Sequence, residues 1–132
     1  MRSSSGAYFG HQPGEYQNNG ELNSGSAWVT ASDQIGRWYQ LDNGADAQIW
    51  GVVTQGRSDD IQWVTSYKVE AKSETGDWFW VDNEKIFSGN TDRSTLVENL
   101  FSTPVTARYF KIYPQTWHSY MAMRADLLVV DV

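Results

Sequence analysis

The sequence predicts a single all-β domain, and three observations lead to that fold class. Apolar and polar residues alternate with a period of two over much of the chain, as the two faces of a half-buried strand require. Clusters of Gly, Asn, Asp and Ser interrupt these runs at short intervals. Aromatic residues, with 7 Trp, 7 Tyr and 5 Phe, are abundant in a chain of 132 residues, and such rings favour strands and binding surfaces. That length matches one domain with one core, so residues 1–132 are read as a single unit.

Taken in order, residues 1–25 read mostly as loop, being rich in Gly, Ser, Asn and Gln, with Tyr8, Phe9 and Tyr16 spaced through them. Strand-like runs follow at Ser26 to Thr30, Arg37 to Asp42, Gln48 to Thr54, Trp63 to Lys72, Trp78 to Asp82, Thr95 to Asn99, Ala107 to Tyr113 and Met121 to Asp131. The clearest places Trp63, Thr65, Tyr67, Val69 and Ala71 on one face and Ser66, Lys68, Glu70 and Lys72 on the other. Turns are expected at Asn18-Asn19-Gly20, Asp42-Asn43-Gly44, Thr75-Gly76-Asp77 and Ser88-Gly89-Asn90. No segment sustains helical periodicity. Short strands spaced this way close into a barrel or sandwich, because complete pairing protects strand edges, and a jelly-roll topology fits best.

Composition narrows the function classes. A net charge of -6 and the absence of any Lys/Arg run disfavour nucleic acid, and make anionic membranes a less favourable partner. There are no cysteines, so neither a disulfide nor a Cys-containing zinc site is available. No apolar run approaches the roughly 20 residues needed to span a bilayer. The start Met1-Arg2-Ser3-Ser4-Ser5 lacks the apolar stretch of a secretory signal, so the expectation is a soluble chain or one trimmed of its signal. Two His, no nucleophile elbow and no phosphate loop give catalysis no support. Asp59 and Asp60 are adjacent and point apart, whereas a retaining glycosidase needs two carboxyls facing one bond at about 5 Å. The chain is read as a non-enzyme without cofactor. The carboxylates of Asp33, Asp59, Asp60 and Asp92 have no calcium-loop spacing, so no metal is assigned.

Several strings resemble one known family. Ala27-Trp28-Val29, Gly36 to Asp42, Gly51 to Arg57, Gln62 to Val69, Phe87 to Asp92, Ala107 to Pro114 and Met121 to Leu128 occur in the order and approximate spacing of the discoidin family, also called coagulation factor V/VIII type C domains. The resemblance covers nearly the whole chain. It implies an eight-stranded antiparallel jelly-roll barrel whose loops at one end hold ligand. Two departures stand out: the family's terminal disulfide is absent, and so is a strand before Ser3, which makes fraying termini the expectation.

Within that frame the segment Gln55 to Gln62 falls on a ligand-holding loop, where Arg57 and Asp59 have the fork and acceptors that suit sugar hydroxyls; a solvated turn with local charge pairs is the plainer reading. Asp33 falls on a neighbouring loop, either as a ligand contact or as an Asx turn. Trp28, Trp63, His118 and Tyr120 complete the expected ligand face, with Tyr8 and Phe9 as a possible further ligand or membrane spike. Trp38, Trp50, Trp78, Trp80 and Trp117 are assigned to the core, and Arg108 and Arg124, amid apolar neighbours, to structural pairing. The leading expectation is an extracellular or secreted lectin-like adhesion module, part of a larger chain, that recognises a galactose-type sugar or glycoprotein, with oligomers allowed and a cytoplasmic lectin left open. The alternatives are capture of collagen, another extracellular-matrix protein or a basic peptide, and docking to phosphatidylserine membranes.

Overall fold

A computed structural model describes residues 1–12, 14, 15 and 17–129, apart from the side chain of Phe9. Eight strands are found among them: β1 (Arg2–Ser4), β2 (Trp28–Val29), β3 (Tyr39–Gln55), β4 (Trp63–Lys72), β5 (Phe79–Trp80), β6 (Phe87–Ser88), β7 (Val97–His118) and β8 (Ala122–Val129). A 3-10 turn at Tyr8–Gly10 is the one helical element among the described residues. Every strand pairing is antiparallel, and the order runs β2-β8-β3-β7-β4-β5, with β1 added to β3 and β6 to β4.

The all-β jelly roll expected from the sequence is present, but the ladder does not close into a barrel. Its outermost members, β2 and β5, are two residues long and do not pair with each other. Edges that short offer little to a foreign strand, so closure is not required to protect them.

The strand inventory also differs from the reading by periodicity. The runs at Arg37 to Asp42 and Gln48 to Thr54 belong to one strand of 17 residues, and those at Thr95 to Asn99 and Ala107 to Tyr113 to one of 22 residues. The expected turn at Asp42-Asn43-Gly44 is a register shift inside β3, with Gly44 at φ 88° and its N–H donating to Asp42 Oδ1 at 2.8 Å. Each long strand therefore changes partners along its length: the first part of β3 pairs with β1 and the later part of β7, while its second part pairs with β8 and the earlier part of β7. The start of the chain is less loop-like than expected. Arg2–Ser4 pairs with Tyr39–Leu41, and Arg2 donates to the carbonyls of Gly20 (3.1 Å) and Ala125 (2.6 Å).

The core lies between the two halves so formed. Phe110 and Ile112 of β7, Tyr67 and Val69 of β4, and Trp28 and Tyr39 are wholly or almost wholly buried. A side chain such as Phe110 contributes roughly 2 kcal/mol by leaving water. The alternation read along Trp63 to Lys72 is realised in β4, whose Tyr67, Val69 and Ala71 face inward. Four tryptophans assigned to the core are not in it. Trp50 and Trp80 are exposed, and Trp38 and Trp78 are half-buried on the outer surface, where Lys111 Nζ sits 4.3 Å from one ring centroid and 4.4 Å from the other. Trp117 does pack against the core.

Candidate functional site

Four segments meet at one end of the molecule. The β3–β4 loop supplies Arg57, Asp60 and Gln62, the turn between β7 and β8 supplies Tyr120, β2 supplies Val29, and the first stretch supplies Tyr8 and Gln17; together they line a cleft of about 210 Å³. The loop is held by side chains as well as by its flanking strands. Arg57 N–H donates to the Gln62 carbonyl (2.9 Å), and Ser58 N–H and Oγ reach back to the Ser26 carbonyl (3.3 and 3.5 Å).

Arg57 is fixed before any ligand arrives. Its Nε donates to Asp59 Oδ1 at 2.6 Å and its Nη1 to Gln62 Oε1 at 2.8 Å, and its side chain is only 11% exposed. Burial raises the pKa of Asp59, but the Arg57 guanidinium, by hydrogen bond and charge, and the Ser26 hydroxyl together hold the carboxyl below the usual carboxylate range. Asp59 is thus ionised at neutral pH and holds the Arg57 guanidinium in a fixed orientation beside the cleft.

Tyr8 and Tyr120 form the aromatic wall, edge to face, with centroids 5.9 Å apart. Burial, with Asp33 and Tyr8 nearby, pushes the Tyr120 phenol upward, so it stays a neutral hydroxyl. Asp33 itself does not line the cleft. Its Oδ1 accepts from the Met121 N–H at 2.9 Å and so ties the β2–β3 loop to the turn that carries Tyr120.

The other expected residues take different places. Trp28, expected on the ligand face, is 0% exposed: its ring stacks on Tyr39 at 5.3 Å, and its Nε1 donates to the Gly6 carbonyl. Trp63 and His118 are not part of the cleft lining. They are cross-strand partners, stacked at 4.4 Å with planes 11° apart, because β7 runs on through His118 where a loop was expected. The side chain of Phe9, and Tyr16, lie outside the described residues. Asp60 and Gln62 share the loop of Arg57 and were within reach of sequence reasoning, whereas Gln17 and Val29 carry no local signal.

Among the described residues no group of three acidic, His or Cys side chains converges in a way that would hold a metal ion. Asp92 is spent on its own turn, accepting from the N–H groups of Ser94 and Thr95 and from the Thr95 hydroxyl. A larger depression of about 450 Å³ lies beside β1, lined by Arg2, Asn19, Glu21 and Tyr39 among others. No residue expected to bind ligand opens onto it.

The family description "F5/8 type C domain" matches residues 1–127. The chain belongs to the F5/8 type C (discoidin) family. The domain is 35% identical over 127 residues to lactadherin of Mus musculus, covering 91% of this chain and 27% of that protein. It superposes on discoidin II of Dictyostelium discoideum with a TM-score of 0.88 at 27% identity, covering 100% of this chain and 55% of the other. The fold is shared with a family 32 carbohydrate-binding module of C. perfringens NanJ solved with galactose, at a TM-score of 0.68 and 18% identity, covering 95% of this chain and 87% of that one. This F5/8 type C domain therefore spans about a quarter of lactadherin and about half of discoidin II.

Proposed function

We propose that this domain is a non-catalytic carbohydrate-binding module that takes a galactose-type sugar in the cleft between Tyr8, Arg57 and Tyr120. The observation that carries the reading is the convergence of a pre-oriented Arg57, two tyrosines and the polar residues Gln17, Asp60 and Gln62 around one small space. A sugar ring presents hydroxyls at its edge and C–H groups on its faces. Arg57 suits the former, while the rings of Tyr8 and Tyr120 suit the latter. At about 210 Å³ the cleft is below the range of pockets for drug-sized molecules, about 300 Å³ upward, and matches a single sugar unit.

The galactose-bound family 32 module supports the reading at the level of fold, and the discoidins, one of them 33% identical to this chain over 119 residues, at the level of family. A hydrolytic role lacks its machinery. Among the described residues Asp60 is the only carboxylate lining the cleft, and Asp59 is committed to Arg57, whereas glycoside hydrolysis requires two carboxyls flanking one bond.

The test is a titration of methyl galactoside into isotope-labelled protein, read by amide shifts around Tyr8, Arg57 and Tyr120. An affinity on the order of millimolar is expected, weakened about tenfold or more by Arg57→Ala in a variant whose melting curve still shows a folded protein. Silence toward methyl galactoside and across a glycan array, with the protein folded, would sink the proposal.

A further inference from the structure

We infer that the outer face of the β4–β7 ribbon is a track for an extended, uncharged glycan chain whose terminal unit occupies the cleft; the inference rests on the sugar reading above and extends it from one sugar unit to a chain. The cleft and the ribbon meet at two points. Gln62, which lines the cleft, directly precedes Trp63 at the start of β4, and the N–H of Tyr120, on the aromatic wall, donates to the carbonyl of His118 at the end of β7 at 2.8 Å.

From there the outward side chains form successive aromatic and hydroxyl-bearing rows. Val64, Tyr67, Val69, Phe110 and Ile112 turn into the core, so their neighbours along each strand turn out. The first row is the Trp63–His118 stack, whose imidazole is exposed. The next holds hydroxyls: Thr116 Oγ1 lies 2.6 Å from both Thr65 Oγ1 and Ser66 Oγ. Roughly 17 Å beyond Trp63, at the usual rise of a strand, Lys68 and Tyr113 are cross-strand partners, and the ring of Trp80 in β5 lies 5.2 Å from that of Tyr113. Further on, Trp78 packs beside Tyr109 at 6.4 Å.

These rings are held in place by cations. Lys68 Nζ lies 5.8 Å from the Trp80 centroid, Lys72 Nζ 5.4 Å from that of Tyr109, and Lys111 Nζ within 4.4 Å of both Trp38 and Trp78. Trp80 still keeps 36% of its surface exposed, and aromatic surface left in a continuous run marks a place of contact. A sugar chain matches the run: its C–H faces suit the rings and its hydroxyls suit Thr65, Ser66 and Thr116. The charges on this face are close to balanced. Lys68 pairs with Glu84 and Arg108 with Asp42 and Glu74, while Glu70, which accepts from the Tyr113 hydroxyl, stands opposite Lys111 in register. A neutral chain therefore fits the face better than an acidic or a basic one. Contacts at successive rows act within one ligand molecule, so affinity grows with chain length.

The experiment titrates methyl galactoside and linear galacto-oligosaccharides of two to eight units, in β-1,3- and β-1,4-linked series, into isotope-labelled protein. In one series affinity should rise about tenfold or more from the monosaccharide to the longest member. The longer members should shift the Thr65 and Thr116 amides and the Trp80 indole N–H, which methyl galactoside leaves unmoved. His118→Ala should lose the gain from its first step and Trp80→Ala only that of the longest members, while both keep the unaltered affinity for methyl galactoside. Affinity independent of length in both series, or a length gain that survives both substitutions, overturns the inference and leaves the sugar reading standing. A Trp80→Ala variant that turns a dimer into a monomer and keeps the length gain also overturns it, the face then being a contact between copies. No binding of any member overturns both readings. Should a variant melt below the assay temperature, the length series and the shifts in the unaltered protein decide alone.

Discussion

Arg124 is 3% exposed, and its guanidinium donates to three carbonyls from separate loops, those of Gly56 (2.8 Å), Ser24 (2.9 Å) and Arg93 (2.8 Å). A guanidinium so buried is tolerated only with its donors satisfied, and here satisfaction also binds the β3–β4 loop to its neighbours. Arg124→Met should cost about 3–5 kcal/mol, seen as a lower urea midpoint with an unchanged slope. Arg108 plays the milder version on the surface, donating from Nε and Nη2 to Asp42 (2.8 and 3.2 Å) and from Nη1 to Glu74 (3.1 Å). The Arg108 hydrogen bonds hold the Asp42 carboxyl below the usual carboxylate range. A carboxyl depressed on folding stabilises fully above its unfolded pKa, about 3.9, and loses that contribution as pH falls through the folded value. The gap in urea midpoint between the unaltered protein and Arg108→Gln should therefore be constant from about pH 7 to about 5 and shrink below about 4. A gap independent of pH would separate the Arg108 effect from Asp42. Both arginines were legible as structural, because a charged residue among apolar neighbours has few other options. Gln17 was not, since an amide in a polar loop looks the same whether it faces solvent or a cleft.

The long strands β3 and β7 depend on close approach at their corners. An added Cβ at Gly51 would lie 2.1 Å from the Asn99 carbonyl oxygen and 2.9 Å from Leu100 Cα, both backbone atoms with little room to yield. Gly51→Ala is expected to destabilise by more than about 2 kcal/mol in chemical denaturation. Gly44, at φ 88° with nothing within 4 Å of a built Cβ, offers the contrast: Gly44→Asn should cost less than about 1 kcal/mol, because Asn tolerates the left-handed region. The opposite ranking would mean that backbone conformation, not interstrand contact, limits these corners. Strand alternation was readable wherever one face is buried, as in β4. The fusion of predicted pairs into single strands was not, because a register shift is set by the partner strand. The outward tryptophans teach the same lesson: β7 buries Phe110 and Ile112 and turns Lys111 outward, and Trp38 and Trp78 cover that lysine from the outer side.

For the molecule as a whole, a net charge of -6 sets how it meets other surfaces. Vesicles containing phosphatidylserine should recruit no more protein at low salt than neutral vesicles do, since like charge repels most where screening is weakest. Co-flotation that strengthens as salt is lowered would favour membrane docking over the sugar reading. A small cleft at one end also predicts weak single-site binding that gains from repetition. Two copies joined by a flexible linker should hold a galactose-coated surface about 100-fold more tightly than one copy, while affinity for free methyl galactoside per site stays the same. The all-β class, the family and the position of Arg57 on an exposed loop were determined by the sequence alone, because period-two patterning, turn residues and motif order are local properties written along the chain. Which aromatic faces outward, that Trp28 is core, that the ladder stays open and that Gln17 and Arg57 line one cleft were decided by tertiary structure. Each of those depends on which distant strands pair and in what register, and a one-residue shift in pairing turns every side chain to the opposite face.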